Sequence, residues 1–148
     1  MSTISDIKNQ IKGHLDTLKT AGTLGSVIVD DFKTEIGGLG KNIASYPAAI
    51  LGAPSIESGY ETNRDNMRTF NFEILVIQKG ENVNSATAIE DLMETILNAF
   101  DNDPTLGGKA NGAVEPAATT PEPVTTQDGT FIIFTIAIKA RAVVSLTF

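Results

Sequence analysis

The 148-residue chain contains no cysteine. Disulfide staples, thiolate metal sites and a cysteine nucleophile are therefore excluded, and the composition suits a reducing compartment. Imidazole chemistry is limited to one side chain, His14. Positive charge is also short: 11 Lys and Arg against 18 Asp and Glu leave a formal charge of -7. Such a surface repels nucleic acid, so affinity built on phosphate neutralisation is not expected, although DNA can still pass nearby. No run approaches the roughly 18 apolar residues of a membrane span. The stretch Met1-Ser-Thr-Ile-Ser-Asp6 has no basic region followed by an apolar one. The expectation is a soluble, unexported protein. Its length fits one domain over 1–148, and a chain of this size buries roughly 70% of its extended surface, enough for a core without staples.

What is present is periodic. Ile4, Ile7, Ile11, Leu15 and Leu18 recur every three or four residues, which places them on one face of a helix over 3–21, with Thr3 and Asp6 as a capping box and Gly22 marking the end. Ser26 to Asp30 is a β-branched run suited to a buried strand. A flexible loop at Ile36-Gly-Gly-Leu-Gly40 comes next, then a strand from Tyr46 to Leu51. Pro47 lacks an amide hydrogen, so that strand belongs at an edge, or has Pro47 at its first residue. A polar loop over 52–68 leads into a central strand, Thr69 to Gln78, with Phe70, Phe72, Ile74 and Val76 on one face and Leu75 and Ile77 on the other. A second amphipathic helix is predicted over 84–101, with Thr87 and Glu90 as a candidate capping box and Pro104 as its stop. A long loop is expected at about 105–128, within which residues 107–127 are too rich in Gly, Ala, Pro and Thr for core. Asp128-Gly129 signals a hairpin turn between a returning strand, Val124 to Gln127, and a long central strand from Phe131 to Ile138. The pattern predicts an α+β, two-layer fold: a mostly antiparallel sheet covered by two amphipathic helices.

Chemical signals are thin, and a structural reading accounts better for each. Gly40-Lys41 resembles the end of a phosphate-binding loop, but Glu35 replaces the required glycine and Asn42 the hydroxyl residue. Gly108-Lys109 fails in the same way at Asp103 and Ala110. Asp101, Asp103 and Thr105 hint at a calcium loop, yet Leu106 stands where glycine is needed; helix termination explains the segment. His14 sits beside the apolar stripe of the first helix, with no serine or carboxylate that spacing places next to it, and reads as a surface or boundary histidine. Asp30, Asp31, Glu57, Glu61 and Asp65 read as solvated loop charges. No catalytic residue, metal ligand or cofactor site is expected, so the chain reads as a non-enzyme.

Two charge patterns remain. Glu81, Glu90, Asp91, Glu94, Asp101 and Asp103 occur without an intervening Lys or Arg. A helix of one sign gains no ion-pair support; it is either solvated or turned toward a charged partner, and Glu90, Asp91 and Glu94 are the candidates to line a passage through which DNA slides without sticking. The loop around Arg64, Asp65 and Arg68 places two basic residues just before the central strand, and these could pair with acids on a neighbouring subunit, or locally with Glu57 or Glu61.

Four segments then carry a resemblance: Tyr46-Pro47 before an apolar strand, R-D-N-M-R-T-F-N-F-E-I-L-V-I-Q from Arg64, N-A-F-D-N-D-P-T-L-G-G from Asn98, and I-K-A-R-A-V-V-S-L from Ile138. In this order they resemble the tail terminator (tail completion) proteins of long-tailed bacteriophages. The resemblance implies a small α+β protomer in a hexameric ring on the head-proximal end of the tail tube, located in the virion neck. It implies as partners the tail tube protein, a head-completion or neck protein and other copies of itself, with DNA passing through unbound and no membrane contact. Loop position and charge asymmetry, rather than any motif, make Arg64, Asp65, Arg68 and Leu106 the candidates for subunit or tube contacts. A head-tail connector or stopper is the neighbouring reading, and a small ligand-binding or hydrolase domain the more distant one.

Overall fold

The computed structural model describes residues 3–29, 45–60, 65–80, 86–126 and 129–145. Their order is α1 (Thr3–Thr20), β1 (Ser26–Val29), β2 (Ala48–Leu51), β3 (Ser55–Tyr60), β4 (Asp65–Lys79), α2 (Ala86–Asp101), β5 (Glu115–Ala118), β6 (Glu122–Thr126) and β7 (Gly129–Ser145). The fold is α+β, with one mostly antiparallel sheet and two helices. Among the described residues no helix is long and apolar enough to cross a membrane.

Two long strands form the spine. β4 and β7 pair antiparallel from Asp65 opposite Ser145 to Lys79 opposite Phe131. Along the outer side of β4 lie β2, opposite Ile74 to Ile77, and β3, opposite Asn66 to Asn71. β1 adds to β2 in parallel. Along the outer side of β7 lie β6 and β5 in turn. Because side chains alternate in a strand, Phe70, Phe72, Ile74 and Val76 share one face of β4, and Phe134, Ile136, Ile138 and Ala140 the matching face of β7. Both helices pack on that face: Ile7, Ile11 and Leu15 of α1 and Ile96 and Phe100 of α2 are fully buried in the same cluster. Each such side chain contributes about 1.5–3 kcal/mol of burial. The opposite face carries a smaller cluster in which Ile77 and Phe131 are buried and Tyr46, Ile50, Leu75 and Ile133 pack around them. The Lys79 ammonium lies 5.2 Å from the centre of the Tyr46 ring there.

Several boundaries differ from the sequence expectation. α1 already contains Thr3 and α2 already contains Thr87. Each residue is therefore inside its helix rather than at a cap. α1 ends as Gly22 requires: at φ 86° its N–H donates to the carbonyl of Lys19 and that of Thr23 to the carbonyl of Leu18, a Schellman stop. β1 is half-buried with Val29 39% exposed, not a buried strand. β2 lies between β1 and β4, not at an edge; it starts just after Pro47, whose carbonyl accepts N–H groups of Gly25 and Ser26. The expected loop at 52–68 holds β3 and the start of β4, and the expected excursion at 105–128 holds β5 and β6. Ala110 and Val114, within the stretch 107–127 expected to be too polar for core, join the core, and so does Leu106 just before it. Gly129, expected in the hairpin turn, is already in β7 opposite Thr126, and Gln127 and Asp128 lie outside the described residues. The glycine-rich loop at 36–40, the Gly40-Lys41 pair, and Asp30, Asp31, Glu61, Glu81 and Asp128 lie outside the described residues.

Candidate functional site

The D-N-D-P-T-L-G-G stop is a built turn. Pro104 cannot continue α2, and Asp103 organises the turn beyond it. One of its carboxylate oxygens accepts the Gly107 N–H at 2.9 Å, and the other accepts from His14 Nε2 of α1 at 2.7 Å. The His14 ring stands edge-on to Phe100, with centroids 5.4 Å apart. Spacing in the sequence gives His14 no carboxylate partner; the partner comes from 89 positions away, beyond the reach of such arguments. The Gly107 N–H, then the His14 hydrogen bond, and last the His14 charge hold the Asp103 carboxyl below its ordinary value, while burial opposes them. The chain then passes through Leu106 at φ 50°, Gly107 at φ 66° and Gly108 at φ 82°. A side chain on Gly107 would approach Gln10 of α1 at 3.0 Å. With Leu106 fully buried, the turn clasps α1 to the end of α2.

The predicted contact residues separate once they are placed. Leu106 is core and presents no surface to a partner. Asp65 opens β4, and Arg68, half-buried, stands three residues further along the same strand. Arg68 lies opposite Ser58 and Glu57 opposite Thr69, so Arg68 and Glu57 occupy opposite faces of the sheet. Arg64 lies outside the described residues. Glu90, Asp91 and Glu94 do come together, all exposed on the outer surface of α2 over the buried Leu92 and Ile96. That helix carries no Lys or Arg.

Two of the open cavities among the described residues could hold chemistry. One of about 310 Å³, between α2 and the sheet, is lined by Thr23, Pro47, Gln78, Asp91 and neighbours. The other, of about 410 Å³, opens where β5 gives way to β6 and is lined by Thr119, Thr120, Glu122 and Thr135 with Val124 and Ile133. Each has one carboxylate in its lining and, among the described residues, no histidine or basic side chain beside it. Neither gathers the base, orienting group and charge stabiliser that an acid-base or nucleophilic mechanism requires.

The sheet edges differ more than the cavities do. On the β7 side, Pro116 and Pro123 sit in the outer strands, each behind an exposed glutamate, Glu115 and Glu122. Beyond β5, Asn111 continues the pairing: its N–H donates to the Arg141 carbonyl at 2.6 Å and its Oδ1 accepts the Val143 N–H at 2.9 Å. On the β4 side, β3 pairs with β4 and with no other strand among the described residues. Its residues 55–59 are all exposed. Sequence reading misses β3 because S-I-E-S-G-Y has one large aliphatic residue in a polar run, with no clean alternation.

A solved virion chain shares this architecture. It belongs to the virion of a native gene transfer agent (GTA) particle, and the likeness covers 90% of this chain and 92% of that one at a TM-score of 0.51 and 9% sequence identity. At that identity the likeness is one of fold, extending over nearly all of both chains. No protein-family model matches this sequence, and no curated protein matches it.

Proposed function

We propose that this protein is a structural subunit of a phage-like particle, made in a bacterial cytoplasm and residing in the virion neck. In this reading it closes into a ring, six-membered, on the head-proximal end of a tail tube, ends tube growth and presents a surface to head-completion proteins. Its role is architectural and involves no catalytic step. The observation that carries the proposal is the near-complete fold likeness to a chain of a virion. The resemblance to tail terminators narrows it, through segments that correspond to the start of β2, the strand β4, the clasp after α2 and the end of β7. A ring of identical subunits needs head-to-tail contacts that close by rotation and a lumen that DNA can traverse. The one-signed outer surface of α2, with Glu90, Asp91 and Glu94, suits such a lumen because it repels phosphate.

A connector or stopper from the same neck draws on the same fold likeness, and position on the particle separates it from a terminator. Light scattering over a wide concentration range, with negative-stain images of the same samples, tests the proposal. Closed rings of about six copies, and capping of purified tail tubes that then stop growing, are the expected result. Rings that bind no tube and do not stop its growth favour the connector. Clear turnover of generic ester, phosphate or glycoside substrates overturns the architectural reading.

A further inference from the structure

We infer that Asn111-Gly112 is a site of spontaneous covalent modification, where the Gly112 backbone nitrogen closes on the Asn111 side chain and converts it, through a succinimide, to aspartate and isoaspartate. This holds independently of the ring reading above. Asn111 is the only asparagine of the chain that is followed by glycine. Gly112 has no side chain to crowd an attack by its own nitrogen, and it sits at φ 86°, where residues with a Cβ are rare. Both residues are exposed, in the connection between α2 and β5.

The fold holds the electrophile and leaves the nucleophile open. Asn111 is fixed to the end of β7 at two points: its N–H donates to the Arg141 carbonyl at 2.6 Å, and its Oδ1 accepts the Val143 N–H at 2.9 Å. The second bond polarises the side-chain carbonyl and lies where negative charge gathers on Oδ1 as a nucleophile adds to Cγ. The Gly112 N–H, by contrast, donates to no acceptor among the described residues, so its proton can pass to solvent. The nitrogen bonds to Cγ, the Cγ–Nδ2 bond breaks, and ammonia leaves with a proton taken from water. Water then opens the imide ring at either carbonyl. Opening at Cγ gives aspartate, which keeps an acceptor for the Val143 N–H. Opening at the main-chain carbonyl gives isoaspartate, which routes the backbone through Cβ and Cγ and displaces the former Oδ1 from Val143. Conversion to isoaspartate therefore loosens the end of β7.

Ageing the full folded chain at mildly alkaline pH, beside the same chain in urea, tests this. Peptide mapping with fragmentation that separates aspartate from isoaspartate reads the product. Conversion is expected at Asn111 of the folded chain ahead of every other asparagine. It is expected to be lost in Gly112→Ala, whose new Cβ meets no atom within 4 Å and whose folding circular dichroism checks. Amide exchange at Val143 is expected to speed in the isoaspartyl fraction and to stay as in wild type in Asn111→Asp. A folded chain that stays unmodified at Asn111 overturns the site, and conversion confined to the chain in urea shows that the fold protects it. Gly112→Ala converting at the wild-type rate overturns the arrangement for attack by the residue 112 nitrogen. Unchanged Val143 exchange in the isoaspartyl chain overturns the coupling to β7. Each of these outcomes leaves the ring reading standing.

Discussion

Asp103 shows how one side chain can tie distant parts of a small fold together. Its carboxylate holds the Gly107 N–H and His14 Nε2 at once, so the end of α2, the turn after it and the middle of α1 share one anchor. Because its folded pKa is depressed, the stabilisation is fully present above the unfolded aspartate value of roughly 4 and is lost as pH falls through the folded value. Thermal melts at neutral pH and across pH 2–5 check this. Asp103→Ala is expected to cost about 1–2 kcal/mol at neutral pH, a range lowered because the pair is about a quarter exposed. The variant should also lose part of the wild-type decline in acid. Leu106 poses the opposite problem, a buried side chain on a left-handed backbone. Leu106→Ala keeps the backbone penalty and loses the burial, and denaturant titration is expected to show a loss of about 2–4 kcal/mol. Composition could not reveal either role. Leu106 was legible as a feature of the family-like stop, but a contact and a core position look the same in one dimension.

At the scale of elements, strong periodicity made α1, α2, β4 and the first half of β7 readable, because each sets a continuous apolar stripe against the core. The elements that escaped, β3 and β5, are short, polar edge strands that borrow their stability from the neighbours they pair with. β7 continues to Ser145 for the same reason, since just beyond Ile138, from Lys139 to Ala142, it alternates charged and small residues. The pairing of that extension to Asn111 is testable. Asn111→Ala removes the acceptor of the Val143 N–H, and is expected to cost about 0.5–1.5 kcal/mol and to speed amide exchange at Val143 relative to residues 132–138. Gly22→Ala keeps α1 but places a side chain at φ 86°, and a loss of about 1–2 kcal/mol is expected in the same denaturant assay.

For the whole molecule, the net charge of -7 sets an expectation independent of any interface. Gel-shift assays with duplex DNA at physiological salt are expected to show no complex at micromolar protein, since there is little counterion release to drive one. A salt-sensitive complex would place the basic residues, not the acidic surface of α2, toward the DNA. Sequence alone determined the fold class, the placement of both helices and the central strands, and the lack of cysteine with a single histidine, because hydrophobic period and residue type are local properties. Only the tertiary structure decided that His14 meets Asp103, that Leu106 is core, that Arg68 and Glu57 stand on opposite faces, and that one edge of the sheet is blunted while β3 is exposed. Those facts depend on strand register and on contacts between residues far apart in the chain, and a one-residue change of register would reverse every face.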